Sequence, residues 1–133
     1  MRILIVEDDF GSRVLMKKLL AGYGSCDVVV DGEEALSSFK MAWEEKAPYN
    51  LIMMDIMLPE MDGQEALQQI RAYEKEIGLS DVDRVKVIMT TALGDPKNVV
   101  TAYNKGEASS YIVKPVEIAQ LKQEMSKLGF EEQ

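Results

Sequence analysis

The chain has 133 residues, 47% of them hydrophobic and 29% charged, a globular mix that argues against intrinsic disorder and for one domain over residues 1–133. Acidic residues outnumber basic ones 23 to 15, and the net charge of −8 disfavours nucleic acid and anionic membranes as partners. There is no histidine and one cysteine, Cys26, which excludes zinc–histidine sites, Ser–His–Asp triads and an internal disulfide. A reducing, cytoplasmic setting is expected. No apolar run approaches the roughly 20 residues of a membrane span. Met1 leads straight into a strand-like run, so no signal peptide is expected.

The first apolar run is 3–6, and Val14, Leu15, Leu19 and Leu20 mark a helix after it that ends at 21–24. The second run is 26–30. Asp31 then reads as a helix N-cap, followed by Ala35, Leu36, Phe39 and Trp43 on one face. The third run is 51–54; after Asp62 and Gly63 come Ala66, Leu67, Ile70, Tyr73 and Ile77 at helical spacing. The stretch 71–84 is long and charged, and reads as an extended third helix followed by a solvated loop. The fourth run is 85–89. Asp95 and Pro96 then open a helical segment carrying Val99, Val100 and Tyr103. The last run is 111–113, and Ile118, Leu121, Met125 and Leu128 form a closing helix that stops at Gly129.

Most of the five runs are continuous rather than alternating, which suits central strands covered on both faces. Strand and helix alternate five times. That order predicts an α/β fold with a five-stranded parallel sheet, doubly wound, with helices on both faces.

In such a sheet ligands bind at the carboxyl ends of the strands. The first run ends in Glu7, Asp8 and Asp9, the third in Asp55, the fourth in Thr90 and Thr91, and the fifth in Lys114 and Pro115. Singly, each has an ordinary structural explanation as turn, cap or strand residue. Together they place carboxylates, a hydroxyl and an ammonium at one edge. Carboxylates brought together repel and raise each other's pKa unless a cation joins them. With oxygen donors only, magnesium is the natural choice. Metal and lysine then form a cradle for a phosphoryl group, and one carboxylate can act as nucleophile.

On these residues the chain resembles the CheY-like receiver domain of two-component response regulators, over nearly its whole length. The resemblance rests on the strings 3–9, 55–63, 89–92 and 111–115, in receiver order and spacing. It implies that Asp55 accepts the phosphoryl group, that Asp8 and Asp55 ligate Mg2+ with the backbone carbonyl of Met57, and that Glu7 does so through water. Asp9 falls one place beyond the acidic pair. The resemblance makes Thr91 the switch hydroxyl, Tyr111 the aromatic switch and Lys114 the phosphoryl partner, and implies a cis Lys114–Pro115 bond. An ordinary buried aromatic is the plain alternative for Tyr111, and a packed strand residue is the reading for Thr90. A histidine kinase or histidine phosphotransfer protein is the implied donor. A protein target would read the face of the fourth helix, fifth strand and fifth helix, and the same face could pair two copies once phosphorylated. Only 19 residues follow Lys114, so no output domain is expected, and the domain catalyses only its own modification.

Two departures from the family pattern stand out. Met57 lies two residues after Asp55 and Leu93 two after Thr91. Both are apolar and cannot orient an attacking water, which predicts a long-lived phosphorylated state. Glu107 stands before Ala108, where glycine is common. Two other functions fit the same topology less well. A flavin carrier needs a Ser/Thr/Gly-rich loop where Glu7, Asp8 and Asp9 stand. A magnesium phosphohydrolase needs an aspartate where Met57 stands. A degenerate receiver acting only by binding would lack site residues that are all present here.

Overall fold

The computed structural model describes residues 1–92 and 107–133. In chain order the elements are β1 (Arg2–Val6), α1 (Phe10–Leu20), β2 (Ser25–Val29), α2 (Gly32–Glu44), β3 (Leu51–Asp55), α3 (Gly63–Glu76), a 3-10 turn (Asp81–Asp83), β4 (Lys86–Thr91), β5 (Ser110–Val113) and α4 (Ile118–Lys127). The helical segment expected from Asp95 and Pro96, and the position of Leu93, lie outside the described residues.

All strand pairs are parallel, in the order β2-β1-β3-β4-β5. Strand direction of assembly reverses between β1 and β3, which places the ligand-binding crevice at their carboxyl ends. Side-chain alternation divides the core in two. Leu4, Val6, Ile52, Met54, Val87 and Met89 face α2 and α3, where Ala35, Phe39, Leu67 and Ile70 meet them. Ile3, Ile5, Leu51, Met53, Ile88 and Ile112 face α1 and α4, where Met16, Leu20, Leu121 and Met125 close the other side.

β1, β3 and β4 are buried along nearly their whole lengths, as the continuous apolar runs require. β2 departs from that expectation. It is an edge strand and its residues are half-buried or exposed, because nothing pairs with its outer side. The first helix also differs. Val14 and Leu15 are exposed, and Met16 and Leu20 form the buried face instead. Apolar residues at 14, 15, 16, 19 and 20 span more arc than one sheet contact can cover, and packing selects the pair one turn apart.

The helix caps match the sequence. Asp31 accepts from the Glu34 amide at 2.8 Å and Asp62 from that of Glu65 at 2.9 Å. At the end of the closing helix Gly129 has φ of 87°, the left-handed conformation that suits glycine past a C-cap.

The charged stretch 71–84 divides as expected into the end of α3 and a mostly exposed loop over 77–84, but it holds one buried ion pair. α3 stops at Glu76, and the Glu74 carboxylate is fully buried. It accepts from the Val85 amide at 2.7 Å and from Arg71 Nη1 at 2.7 Å. Arg71 also donates to the carbonyls of Val85, at 2.8 Å, and Glu107, at 2.9 and 2.6 Å. Three apart on one helix, the pair faces the starts of β4 and β5, where backbone groups need partners. At Glu107 the contact is therefore made by the backbone.

Removing one member of a buried, hydrogen-bonded ion pair strands the other charge. Arg71→Met is expected to lower unfolding free energy by about 3–5 kcal/mol. Urea denaturation measures this, and a loss under about 1 kcal/mol would show that Glu74 is not held by charge pairing.

Candidate functional site

The site forms where β1, β3, β4 and β5 end. Glu7 leaves β1 with its amide bonded to the Val29 carbonyl at 3.1 Å, so its side chain starts from a fixed base. Glu7 is 2% exposed and Asp55 6%, whereas Asp8 is exposed. Carboxylate oxygens of Glu7, Asp8 and Asp55 lie within 4.8 Å of one another. Lys114 reaches this cluster from the end of β5. Its ammonium bonds Glu7 Oε1 and stands 2.9 Å from Asp55 Oδ2. Its backbone is fixed to β4 by a 2.7 Å bond from its amide to the Thr91 carbonyl. The Lys114–Pro115 peptide is cis, as expected.

The second oxygen of Asp55 accepts from the Met57 amide at 3.1 Å. Gly63 sits beneath Asp55. A β-carbon there would come within 2.3 Å of the Asp55 carbonyl, so only glycine lets α3 start this close to the strand end. Gly63 entered the sequence reading as part of a motif; its exclusion of a side chain is visible only in three dimensions.

Thr91 is buried and its hydroxyl donates to the Ala92 carbonyl at 3.3 Å. Thr90 is buried in the sheet, consistent with a packed strand residue. Tyr111 is 43% exposed, so the ordinary buried aromatic weighed as its alternative is not what β5 presents. Asp9 lies outside the carboxylate cluster and caps α1, accepting from the Ser12 amide at 2.9 Å. That bond holds its carboxyl below the usual range. Arg13, not singled out in the sequence, donates to the Asp8 carbonyl at 2.9 Å. Trp43 packs beside the α2–α3 half of the core.

Charge governs this cluster. Burial pushes the Glu7 carboxyl up to about 7; Asp55 adds to the shift and Lys114 opposes it. Burial works against the Lys114 ammonium, but its bonds to Glu7 and Asp55 outweigh that and raise its pKa above the ordinary lysine value. One ammonium does not balance three carboxylates. The donor set is all oxygen, clustered and partly open to solvent through Asp8, which fits a small hard divalent cation.

The model described as response regulator receiver domain matches residues 3–126. The chain belongs to the response regulator receiver domain family. This receiver domain is 36% identical over 115 residues to the chemotaxis protein CheY of Listeria monocytogenes, covering 86% of this chain and 87% of that protein. It is 34% identical to the response regulator RppA of Synechocystis, covering 91% of this chain and 47% of RppA. Among solved structures it resembles CheY of Borrelia burgdorferi in a complex with CheX, BeF3 and Mg2+, with TM-score 0.80, 26% identity and coverage of 98% and 90% of the two chains. It also resembles a complex of the Saccharomyces cerevisiae histidine phosphotransfer protein Ypd1 with the Ssk1 receiver, with TM-score 0.77, 29% identity and coverage of 94% and 86%.

The raised carboxyl makes the metal-free receiver pH-sensitive. Folded Glu7 holds its proton up to about pH 7, the unfolded chain only to about 4.5. The contribution to stability is complete below about pH 4.5 and is lost as pH rises through 7. In metal-free buffer the melting temperature should fall between pH 6 and 8 by more in the parent than in Glu7→Gln. Equal pH slopes in the two proteins would mean that Glu7 is not the titrating group.

Proposed function

We propose that this receiver domain accepts a phosphoryl group on Asp55 from a phosphohistidine of a kinase or phosphotransfer protein, in a Mg2+-dependent reaction, and passes the signal to a protein partner. The observation that carries this reading is the meeting of Glu7, Asp8 and Asp55 with Lys114 at the mouth of the strand switch point. Asp8, Asp55, the Met57 carbonyl and, through water, Glu7 would hold Mg2+, which would supply Lewis acidity toward the phosphoryl oxygens. The Borrelia CheY complex with BeF3 and Mg2+ and the Ssk1 complex with a phosphotransfer protein support the cation and the class of donor.

A carboxylate oxygen of Asp55 attacks phosphorus in line. The phosphorus–nitrogen bond of the donor breaks, and its electron pair goes to the imidazole nitrogen, which takes up a proton. Lys114 exchanges its carboxylate partners for phosphoryl oxygens. The new group adds negative charge and acceptor oxygens. The Thr91 hydroxyl turns toward them from the Ala92 carbonyl, and Tyr111 follows into the space vacated. A two-state face carrying β5 and α4 is thereby biased toward its partner-binding form. The domain modifies itself and turns over no separate substrate.

Donor docking fits the first helix. Phe10, Val14 and Leu15 are exposed there, and a cavity of about 420 Å³ lies elsewhere, at the opposite end of the strands around Trp43 and Tyr49. Beside Leu15, a smaller cavity of about 340 Å³ runs between Ser12, Ala92, Lys114 and Pro115, next to the acceptor. Met57, 62% exposed beside Asp55, offers no group to orient water, which supports a long-lived adduct.

Intact-protein mass after incubation with Mg2+ and acetyl phosphate tests the reading. A single hydroxylamine-labile phosphoryl adduct is expected, absent from Asp55→Asn, and a chase after donor removal should show faster loss from Met57→Asn with Leu93→Glu. An adduct that persists in Asp55→Asn would contradict the assignment, and equal decay rates would contradict the long lifetime.

A further inference from the structure

Arg13 lies in the first turn of α1 beside the acidic cluster, and the chemistry above gives it no role. Its Nη1 donates to the Asp8 carbonyl at 2.9 Å and stands 3.5 Å from that of Glu7. The guanidinium lies over the Phe10 ring, 5.6 Å from its centre. Phe10 is 72% exposed, so this stack is not core packing.

The place of those two carbonyls in the backbone gives the contact its meaning. The helix ladder begins at the Asp9 carbonyl, which accepts from the Arg13 amide at 2.9 Å. β1 ends at Val6. The carbonyls of Glu7 and Asp8 thus belong to the turn between strand and helix, outside both ladders; the contact at Glu7 is half-buried and that at Asp8 exposed. Arg13 Nη1 reaches both, so one guanidinium nitrogen ties the two peptides to the first turn of α1. The peptide planes it holds are the ones from which the Glu7 and Asp8 side chains extend. On the opposite side of Glu7, the Asp9 amide donates to Oε2 at 3.3 Å, so the turn is held by backbone and side chain together.

We infer that Arg13 is a positioning residue for the cation held by the acidic cluster, acting through the backbone of the β1–α1 turn. The inference rests on the proposed Asp55 chemistry and adds to it a residue that touches neither phosphoryl group nor metal. Two effects compete. A bystander cation repels a second cation, so deleting its charge tightens Mg2+ binding by about two- to threefold at a solvated distance. A lost tether weakens it, by about tenfold at the low end of what such outer partners contribute. The sign of the change therefore identifies the role.

Calorimetric titration of the full chain with Mg2+ decides between them, using the parent, Arg13→Met, Arg13→Lys and Asp8→Asn. Arg13→Met should bind Mg2+ about three- to fivefold more weakly, the lost tether outweighing the lost positive charge. Arg13→Lys, which keeps the charge on a side chain one bond shorter, should also be weakened, which separates geometry from electrostatics. In acetyl phosphate labelling the half-saturating Mg2+ concentration should rise by more than the maximum rate falls. If Arg13→Met binds as tightly as the parent or tighter, while Asp8→Asn has lost binding, the positioning role is overturned. If Asp8→Asn binds like the parent, the metal site itself is misassigned and the inference falls with it.

Discussion

The rest of the structure depends on one electrostatic constraint: three carboxylates held within 4.8 Å of one another with, among the described residues, the Lys114 ammonium between two of them. Such a cluster is costly in a folded protein unless its charge is shared or compensated. Here compensation takes two forms. Lys114 bridges Glu7 and Asp55, and Glu7 keeps a proton to about pH 7. Both can be displaced. In the proposed chemistry a divalent cation takes the place of the proton, and a phosphoryl group draws the ammonium away. Resting electrostatics and proposed chemistry are thus the same interaction seen with different occupants.

The fold supplies the rigidity that this arrangement needs. β1 and β3 are buried on both faces, and their ends meet at the point where the order of strands reverses. Asp55 is fixed by its strand and by the close seat of Gly63 beneath it. Lys114 is fixed to β4 through the Thr91 carbonyl, which ties the ammonium to the same residue whose hydroxyl is the proposed switch. At the other end of the sheet, Arg71 and Glu74 bind the starts of β4 and β5 to α3. The strand that carries Thr91 and the strand that carries Tyr111 are therefore both anchored at their origins.

Much of this was legible in the sequence because the functional residues follow directly after apolar runs. Once a run is read as a parallel strand, the residue after it must stand at the ligand-binding edge, and Glu7, Asp8, Asp55, Thr91 and Lys114 all obey that rule. The cap at Asp31 was legible because a cap is a local interaction. Long-range competition was not. The first helix has five apolar residues within seven positions, and only packing chooses Met16 and Leu20 over Val14 and Leu15. β2 reads SCDVV, so its polar Ser25 and Asp27 are compatible with the edge place that the topology gives it. Arg71, Glu74 and Arg13 read as surface charges because their partners are backbone groups distant in sequence or hidden in a turn, and no residue pattern announces a carbonyl that needs a donor.

A crystal structure of the full chain with Mg2+ and beryllofluoride, a phosphoryl mimic, tests the central claim most directly. The account predicts the cation on the carboxylates of Asp8 and Asp55 and the carbonyl of Met57, the fluorides bonded to Lys114 Nζ, and the Thr91 hydroxyl turned away from the Ala92 carbonyl. Beryllofluoride bound elsewhere, or Lys114 still bridging Glu7 and Asp55 with the cation absent from the cluster, would contradict it.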